Sequence, residues 1–156
     1  MIWSTFWERK NEINREILFK AKRLDNGEWV EGNLITNERN ENQKYIGYIF
    51  DERNGVIEDY DLVEVIPDTI CQFTGLTDKN GKKIWENDII SINAYSYDEP
   101  EDDYFGVVKY CEKDACWVLK NNERFDEIIC ECFGSYTTQM INHGNIFDNA
   151  ELLEVE

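Results

Sequence analysis

Three Asn-Gly dipeptides, Asn26-Gly27, Asn54-Gly55 and Asn80-Gly81, cut the chain into short segments rich in aromatic and β-branched residues. Asn-Gly accepts the paired positive φ angles of a type I′ turn, so each dipeptide marks a hairpin between two strands. The first joins a strand over 16–24 to one over 28–35. In its leading arm Ile17, Phe19 and Ala21 alternate with Leu18, Lys20 and Lys22, the period of a strand buried on one face. Further strands are expected over 45–50, 61–66, 69–73, 88–93, 104–111, 116–120 and 127–132, so the chain reads as mainly β with little helix. The helical signals are terminal: a short segment over 4–13 capped by Ser4, and a closing turn over 149–153 with Asn149 at its cap.

With 156 residues, 42% of them hydrophobic and 13% aromatic, the chain can bury a core of one domain or two small lobes. Ile66-Pro67-Asp68 is the one candidate hinge, because proline interrupts a strand pattern there. The expected organisation is an extension over 1–14, a β-hairpin lobe over 15–68 and a second lobe over 69–156. Trp3, Phe6 and Trp7 make the extension apolar enough to need a surface to rest on, either this protein's own or that of a second copy.

Thirty-three acidic side chains against 16 basic ones give a net charge of −17. Such a surface is repelled by duplex nucleic acid and by anionic membranes, so neither is an expected direct partner. The charge confers solubility; it also suits an inhibitor that imitates a phosphate backbone inside the basic groove of a nucleic-acid enzyme. No apolar run reaches the roughly 18 residues of a membrane span, and the amino terminus lacks the basic-then-apolar order of a secretory signal. A cytoplasmic protein is the resulting expectation. Cys71, Cys111, Cys116, Cys130 and Cys132 form an odd set, which favours reduced thiols over a disulfide framework. Their spacing is not a zinc pattern, and the single histidine, His143, supplies no knuckle, so no metal or cofactor is expected.

The order of segments then matters. Arg15-Glu16-Ile17-Leu18-Phe19-Lys20-Ala21 is followed by a long block from Gln72 through Gly75-Leu76-Thr77-Asp78-Lys79-Asn80-Gly81 and Trp85-Glu86-Asn87-Asp88 to Ile90. Gly106-Val107-Val108 and Gly144-Asn145-Ile146-Phe147-Asp148-Asn149-Ala150-Glu151-Leu152-Leu153 come later. This arrangement resembles the YopX family of phage and prophage proteins over residues 15–153. The resemblance implies a β-rich fold whose later part is an SH3-like barrel, with Asp88-Ile89-Ile90 opening it, Gly106-Val107-Val108 as its second strand and Trp117-Val118-Leu119 as its third. It brings no established activity and no catalytic residues. Asn87 stands where the family usually has glycine, Ala150 replaces a usual proline, and His143 occupies a normally apolar position. Asparagine is the least costly substitute for glycine at positive φ.

Chemistry has few candidates. His143 has no serine or cysteine nucleophile motif beside it, and neither a phosphate loop nor a nucleophile elbow occurs. Asp78, Asp88 and Asp148 could gather as carboxylates for metal or acid–base work, although a turn, a strand start and a final cap explain them locally. The segment from Tyr95 to Tyr104 is the most distinctive outside the family blocks. Its tyrosines and acids (Tyr95, Tyr97, Asp98, Glu99, Glu101, Asp102, Asp103 and Tyr104) offer contact area and charge on an inter-strand loop, the usual place for recognition. The leading expectation is therefore a noncatalytic module that binds a host or phage protein. An acidic nucleic-acid mimic is the alternative. A small-nucleotide binder, as an oligomer with pockets between subunits, requires the pocket to gather basic residues such as Lys79, Lys82 and Lys83.

Overall fold

The computed structural model describes residues 16–94, 102–120, 127–128 and 140–154. The described residues form eleven strands: β1 (Phe19–Lys22), β2 (Trp29–Thr36), β3 (Lys44–Arg53), β4 (Val56–Val65), β5 (Cys71–Thr77), β6 (Lys83–Trp85), β7 (Asp88–Ala94), β8 (Asp102–Cys111), β9 (Cys116–Lys120), β10 (Glu127–Ile128) and β11 (Met140–Asn145). Two 3-10 turns, Pro67–Thr69 and Ala150–Leu153, are the helical elements among them. The expected closing turn is thus present. Its Asn149 side chain makes no cap bond and instead accepts from the Asn145 amide at 3.3 Å.

The strands build two antiparallel sheets, ordered β4-β3-β2-β1-β5-β6 and β10-β9-β8-β7-β11. The three Asn-Gly dipeptides all lie at hairpin turns, but only one takes the expected turn geometry. At Asn54-Gly55 both φ angles are positive, 53° and 76°, and Arg53 pairs with Val56. At the other two only the glycine has positive φ. There side chains collect the turn amides: Asn26 accepts from the Glu28 N–H, and Asp78 from the N–H groups of Asn80 and Lys82. Such local bonds favour longer loops over the two-residue turn.

Proline 67 links β4 to β5 through its 3-10 turn, and β5 joins the first sheet by pairing with β1. The change of sheet falls at Glu86–Asn87, after β6. Asn87 has φ 68°, the left-handed conformation that the family's glycine suggests, and its N–H donates to the Val108 carbonyl at 2.8 Å. The second sheet bears out the expected succession β7, β8, β9, each paired with the next. A closed barrel is not what forms: β10 and β11 stand at opposite ends of the sheet, and no pairing among the described residues joins them. β6 and β11 lie outside the strands read from the sequence, and the expected helix over 4–13 lies outside the described residues.

Packing follows the strand period. On one side of the first sheet Ala21, Ile46, Val63 and Val65 form a core with Phe19, Val30, Leu34, Tyr48 and Ile70 against it. The second sheet buries Ile90, Ile92, Val108, Trp117, Leu119 and Met140 together with Ile84. Ile84 and Trp85 are neighbours on β6 and point to opposite faces, so Trp85 instead joins Cys71 and Phe73 in a third cluster. β6 therefore serves both sheets. Glycine 32 lets β2 and β3 approach closely: a Cβ there would lie 2.4 Å from the Gly47 carbonyl oxygen.

Candidate functional site

Where the two sheets meet, a cleft of about 450 Å³ opens between β1, β2 and β6 on one side and β7, β11 and Asp148, just after β11, on the other. Its floor is Asp88, the first residue of β7, only 2% exposed. One carboxylate oxygen accepts from the Trp85 N–H at 2.9 Å and the Asn142 side-chain amide at 2.6 Å; the other accepts from Lys20 Nζ at 3.2 Å. Burial pushes the Asp88 carboxyl above its usual range, against the opposing pull of Lys20. The Lys20 ammonium, on β1, also lies 4.9 Å from the Trp29 ring centre and 5.2 Å from that of Trp85. This alternation was legible in β1, where Lys20 and Lys22 share the face opposite Ala21.

At the cleft's other end Asp148 accepts from Lys22 Nζ at 2.5 Å, Trp29 Nε1 at 2.7 Å and the Asn145 amide at 3.1 Å. The Lys22 bond, ahead of the rest, pulls its carboxyl down to about 2. Asp78 lies in its turn, as expected, and burial of its carboxyl is outweighed by the amides of Lys82, Asn142 and Asn80, which hold it below the usual range. Asn142 bridges two of the three aspartates, donating its backbone N–H to Asp78 and its side-chain amide to Asp88. The three carboxylates thus border one region, each filled by protein donors. Among the described residues no group of His, Cys, Asp and Glu is placed to hold a metal ion. Lys82 Nζ donates to Asn142 Oδ1 at 3.3 Å and Lys83 pairs with Glu31 at 3.5 Å, so two of the three lysines named for a nucleotide pocket do reach this cleft.

His143 is the extra residue of a bulge between Asn142 and Gly144 in β11. It is exposed, 2.8 Å from the Ser91 hydroxyl and beside the Phe105 ring. Cys71 is buried, and burial pushes its thiol up to about 11, the opposite of an activated nucleophile. Cys111 and Cys116 face each other in register at the end of the β8–β9 ladder; Cys130 and Cys132 lie outside the described residues. Of the candidate recognition segment, Asp102, Asp103 and Tyr104 open β8, opposite Ala94, Asn93 and Ile92 of β7. Tyr95, Tyr97, Asp98, Glu99 and Glu101 lie outside the described residues.

A surface the sequence reading missed lies on the outer strands of the first sheet. Ile35, Ile49, Tyr60 and Leu62 are 43, 51, 67 and 44% exposed. Ile49 faces Tyr60 across the β3–β4 ladder, Leu62 faces Gly47, and the Ile35 side chain reaches the Gly47 position, so the four lie on one face. β4 is the sheet's edge strand and carries Glu58, Asp59, Asp61 and Glu64. Its far end is covered: Leu24 N–H donates to the Glu64 carbonyl at 2.9 Å and Ile66 N–H to the Lys22 carbonyl at 2.8 Å. Where β1 parts from β4, a groove of about 310 Å³ is lined by Arg23, Leu24, Asp25 and the segment 61–64. Arg23 is held there by both oxygens of Asp25, at 2.9 and 2.8 Å.

Two antiparallel sheets, with β6 of the first packing Ile84 into the core of the second and a polar seam between them, define an all-β protein. The chain belongs to the YopX family, whose model, described as YopX protein, matches residues 18–154. Among solved structures it is similar to protein EF1440 from Enterococcus faecalis, with a TM-score of 0.54 and 24% identity over 90% of this chain and 100% of that one. That likeness is one of fold. No curated protein matches the chain.

Proposed function

We propose that this protein is a noncatalytic accessory module of phage or prophage origin that binds a host or phage protein in the bacterial cytoplasm, through the outer face of β2, β3 and β4. The observation that carries this reading is the row of Ile35, Ile49, Tyr60 and Leu62, apolar side chains left in water beside an edge strand. Each aspartate of the cleft is occupied by protein donors, which suits a structural seam better than an acid–base pair. The second sheet is SH3-like in this reading, a β7–β8–β9 meander to which β11 returns beside β7. An acidic nucleic-acid mimic is less favoured, because a phosphate imitation has no use for that apolar row.

The test is site-specific crosslinking in bacterial cells, with a photoreactive phenylalanine analogue at Tyr60 or Ile49 and, as control, at Tyr110, which is exposed on the second sheet. A discrete adduct that survives nuclease and forms from Tyr60 and Ile49 but not from Tyr110 is the expected result. Equal adducts from all three positions, or none, would overturn the reading.

A second reading rests on the cleft. Its carboxylates are filled, whereas each ammonium of Lys20, Lys82 and Lys83 has three protons to give and engages one acceptor at Lys20 and Lys82 and the two glutamates Glu16 and Glu31 at Lys83, among the described residues, leaving a donor-rich site beside Trp29 for a small anion. Calorimetric titration with inorganic phosphate and with nucleoside monophosphates tests it, and an absence of heat for all of them removes it.

A further inference from the structure

Along β4 the backbone alternates between bonds to β3 and bonds to the outside. The Glu64 carbonyl and the Ile66 N–H both point outward, since they bond Leu24 and Lys22 of the β1 end. By the same period Leu62 and Tyr60 also present their main-chain groups outward. The Leu62 N–H agrees with this orientation: it donates at 2.8 Å to the carboxylate of its own neighbour, Asp61, and to no described strand. The chain that covers β4 at Glu64–Ile66 turns away at Asp25 to enter the β1–β2 loop. Beyond that fork, from Leu62 back to Val56, no described strand lies on the edge of β4. The groove at the fork is where a guest strand would begin, in line with Arg23 and Leu24 and antiparallel to β4.

The side chains along this edge specify the guest. On the exposed apolar face Leu62 and Tyr60 stand beside Ile49 and Ile35. On the opposite face Asp61 and Asp59 carry charge; Asp61 takes the Tyr48 hydroxyl, and no cation among the described residues pairs with Asp59. Across an antiparallel pair, facing side chains share a face, so a guest residue opposite Leu62 or Tyr60 meets apolar surface and one opposite Asp61 or Asp59 meets a carboxylate. Arg23, the cation in the groove, is consumed by Asp25. Building on the protein-binding function proposed above, we infer that β4 accepts by strand addition an extended segment of the partner protein in which apolar residues alternate with lysine or arginine. A second copy of this chain does not fit, because β4 against β4 would set acid against acid. A guest carbonyl would replace the Asp61 carboxylate at the Leu62 N–H and free that carboxylate for the guest's cation.

The probe is a short fluorescent peptide alternating valine with lysine, titrated into the full chain and read by anisotropy at low and moderate salt. Controls are the same peptide with glutamate in place of lysine, and the lysine peptide N-methylated at every residue that would bond β4. The expected result is saturable binding of the lysine peptide, weakened about tenfold by N-methylation and about fivefold by Asp59→Lys, with the variant's melting temperature unchanged. Binding of the glutamate peptide as strong as the lysine one, indifference to N-methylation, or no binding at all would overturn the inference. If crosslinks from Tyr60 and Ile49 persist in cells in that event, the docking surface stands and only its strand-addition chemistry fails. If they vanish as well, both fail.

Discussion

Replacing Asp88 by alanine should unlock the seam between the sheets. The carboxylate is 2% exposed and serves three donors, the Trp85 N–H, the Asn142 amide and the Lys20 ammonium, whose side chain is itself 12% exposed. Without it, the Lys20 side chain loses its carboxylate partner in a place water scarcely reaches, and breaking one side of such a pair costs about 3–5 kcal/mol. The two neutral donors add to this, but relaxation of the emptied site returns part, so about 4 kcal/mol is the working figure. For a chain of this size 1 kcal/mol corresponds to about 2–4 °C, giving a fall of about 8–16 °C in melting temperature. Asp88→Asn keeps the shape and one acceptor and should lose roughly half as much. The assay is thermal and urea unfolding by circular dichroism at pH 7, repeated at pH 5. Burial holds the Asp88 carboxyl above its unfolded value, so the folded state binds that proton more tightly and loses relative stability as pH rises through the folded value. Lys20→Met removes the pull that opposes burial and raises the carboxyl further. Its cost should therefore be larger at pH 7 than at pH 5. An Asp88→Ala protein melting within about 2 °C of the parent, or a Lys20→Met cost identical at both pH values, would refute the account.

Three other outcomes follow from the same geometry. Ala115 holds φ at 52° in the β8–β9 turn, so Ala115→Gly should stabilise the fold by about 0.5–1 kcal/mol in urea unfolding. Gly32→Ala would press a Cβ to 2.4 Å from the Gly47 carbonyl and should cost about 1–3 kcal/mol in the same assay. Asp148, drawn down to about 2 mainly by Lys22, contributes stability that is present above its unfolded value of 3.8 and is lost as pH falls towards 2. Its side chain is 39% exposed, so screening limits this to about 1 kcal/mol; Asp148→Asn should show that deficit at pH 7 and converge with the parent near pH 2 in acid titration of the far-ultraviolet signal.

Much of the fold was legible because its signals are local. Alternation in β1, the Asn54-Gly55 turn and the run from Cys116 to Lys120 each depend on neighbours in sequence, and each is found as read. Asn87 was legible through its departure from the family's glycine, and its left-handed backbone shows why only a few residues serve there. Partnerships over long separations were not. Lys20 and Asp88 are 68 positions apart, and a lysine on the polar face of a half-buried strand looks solvated until a second sheet covers it. β5 was assigned beyond a proline and yet pairs with β1, through two register partners that no periodicity announces. β6 has three residues and β11 carries a bulge, too short or too irregular for alternation to mark. The apolar outer face escaped because Ile49, Tyr60 and Leu62 look like core until the edge position of β4 puts them in water.

The Asp148 carboxylate, near the last turn, holds Lys22 and the Trp29 indole of the first hairpin across 126 and 119 positions. During synthesis the first hairpin emerges early and must wait for nearly all the rest of the chain before this clasp can close. Folding from the amino end can complete the inner strands and the Lys20–Asp88 contact in order, but the Asp148 end of the seam is made last. A chain cut short before Asp148 would therefore hold its sheets by the Asp88 contacts, with Trp29 deprived of its acceptor and Lys22 of its counter-ion.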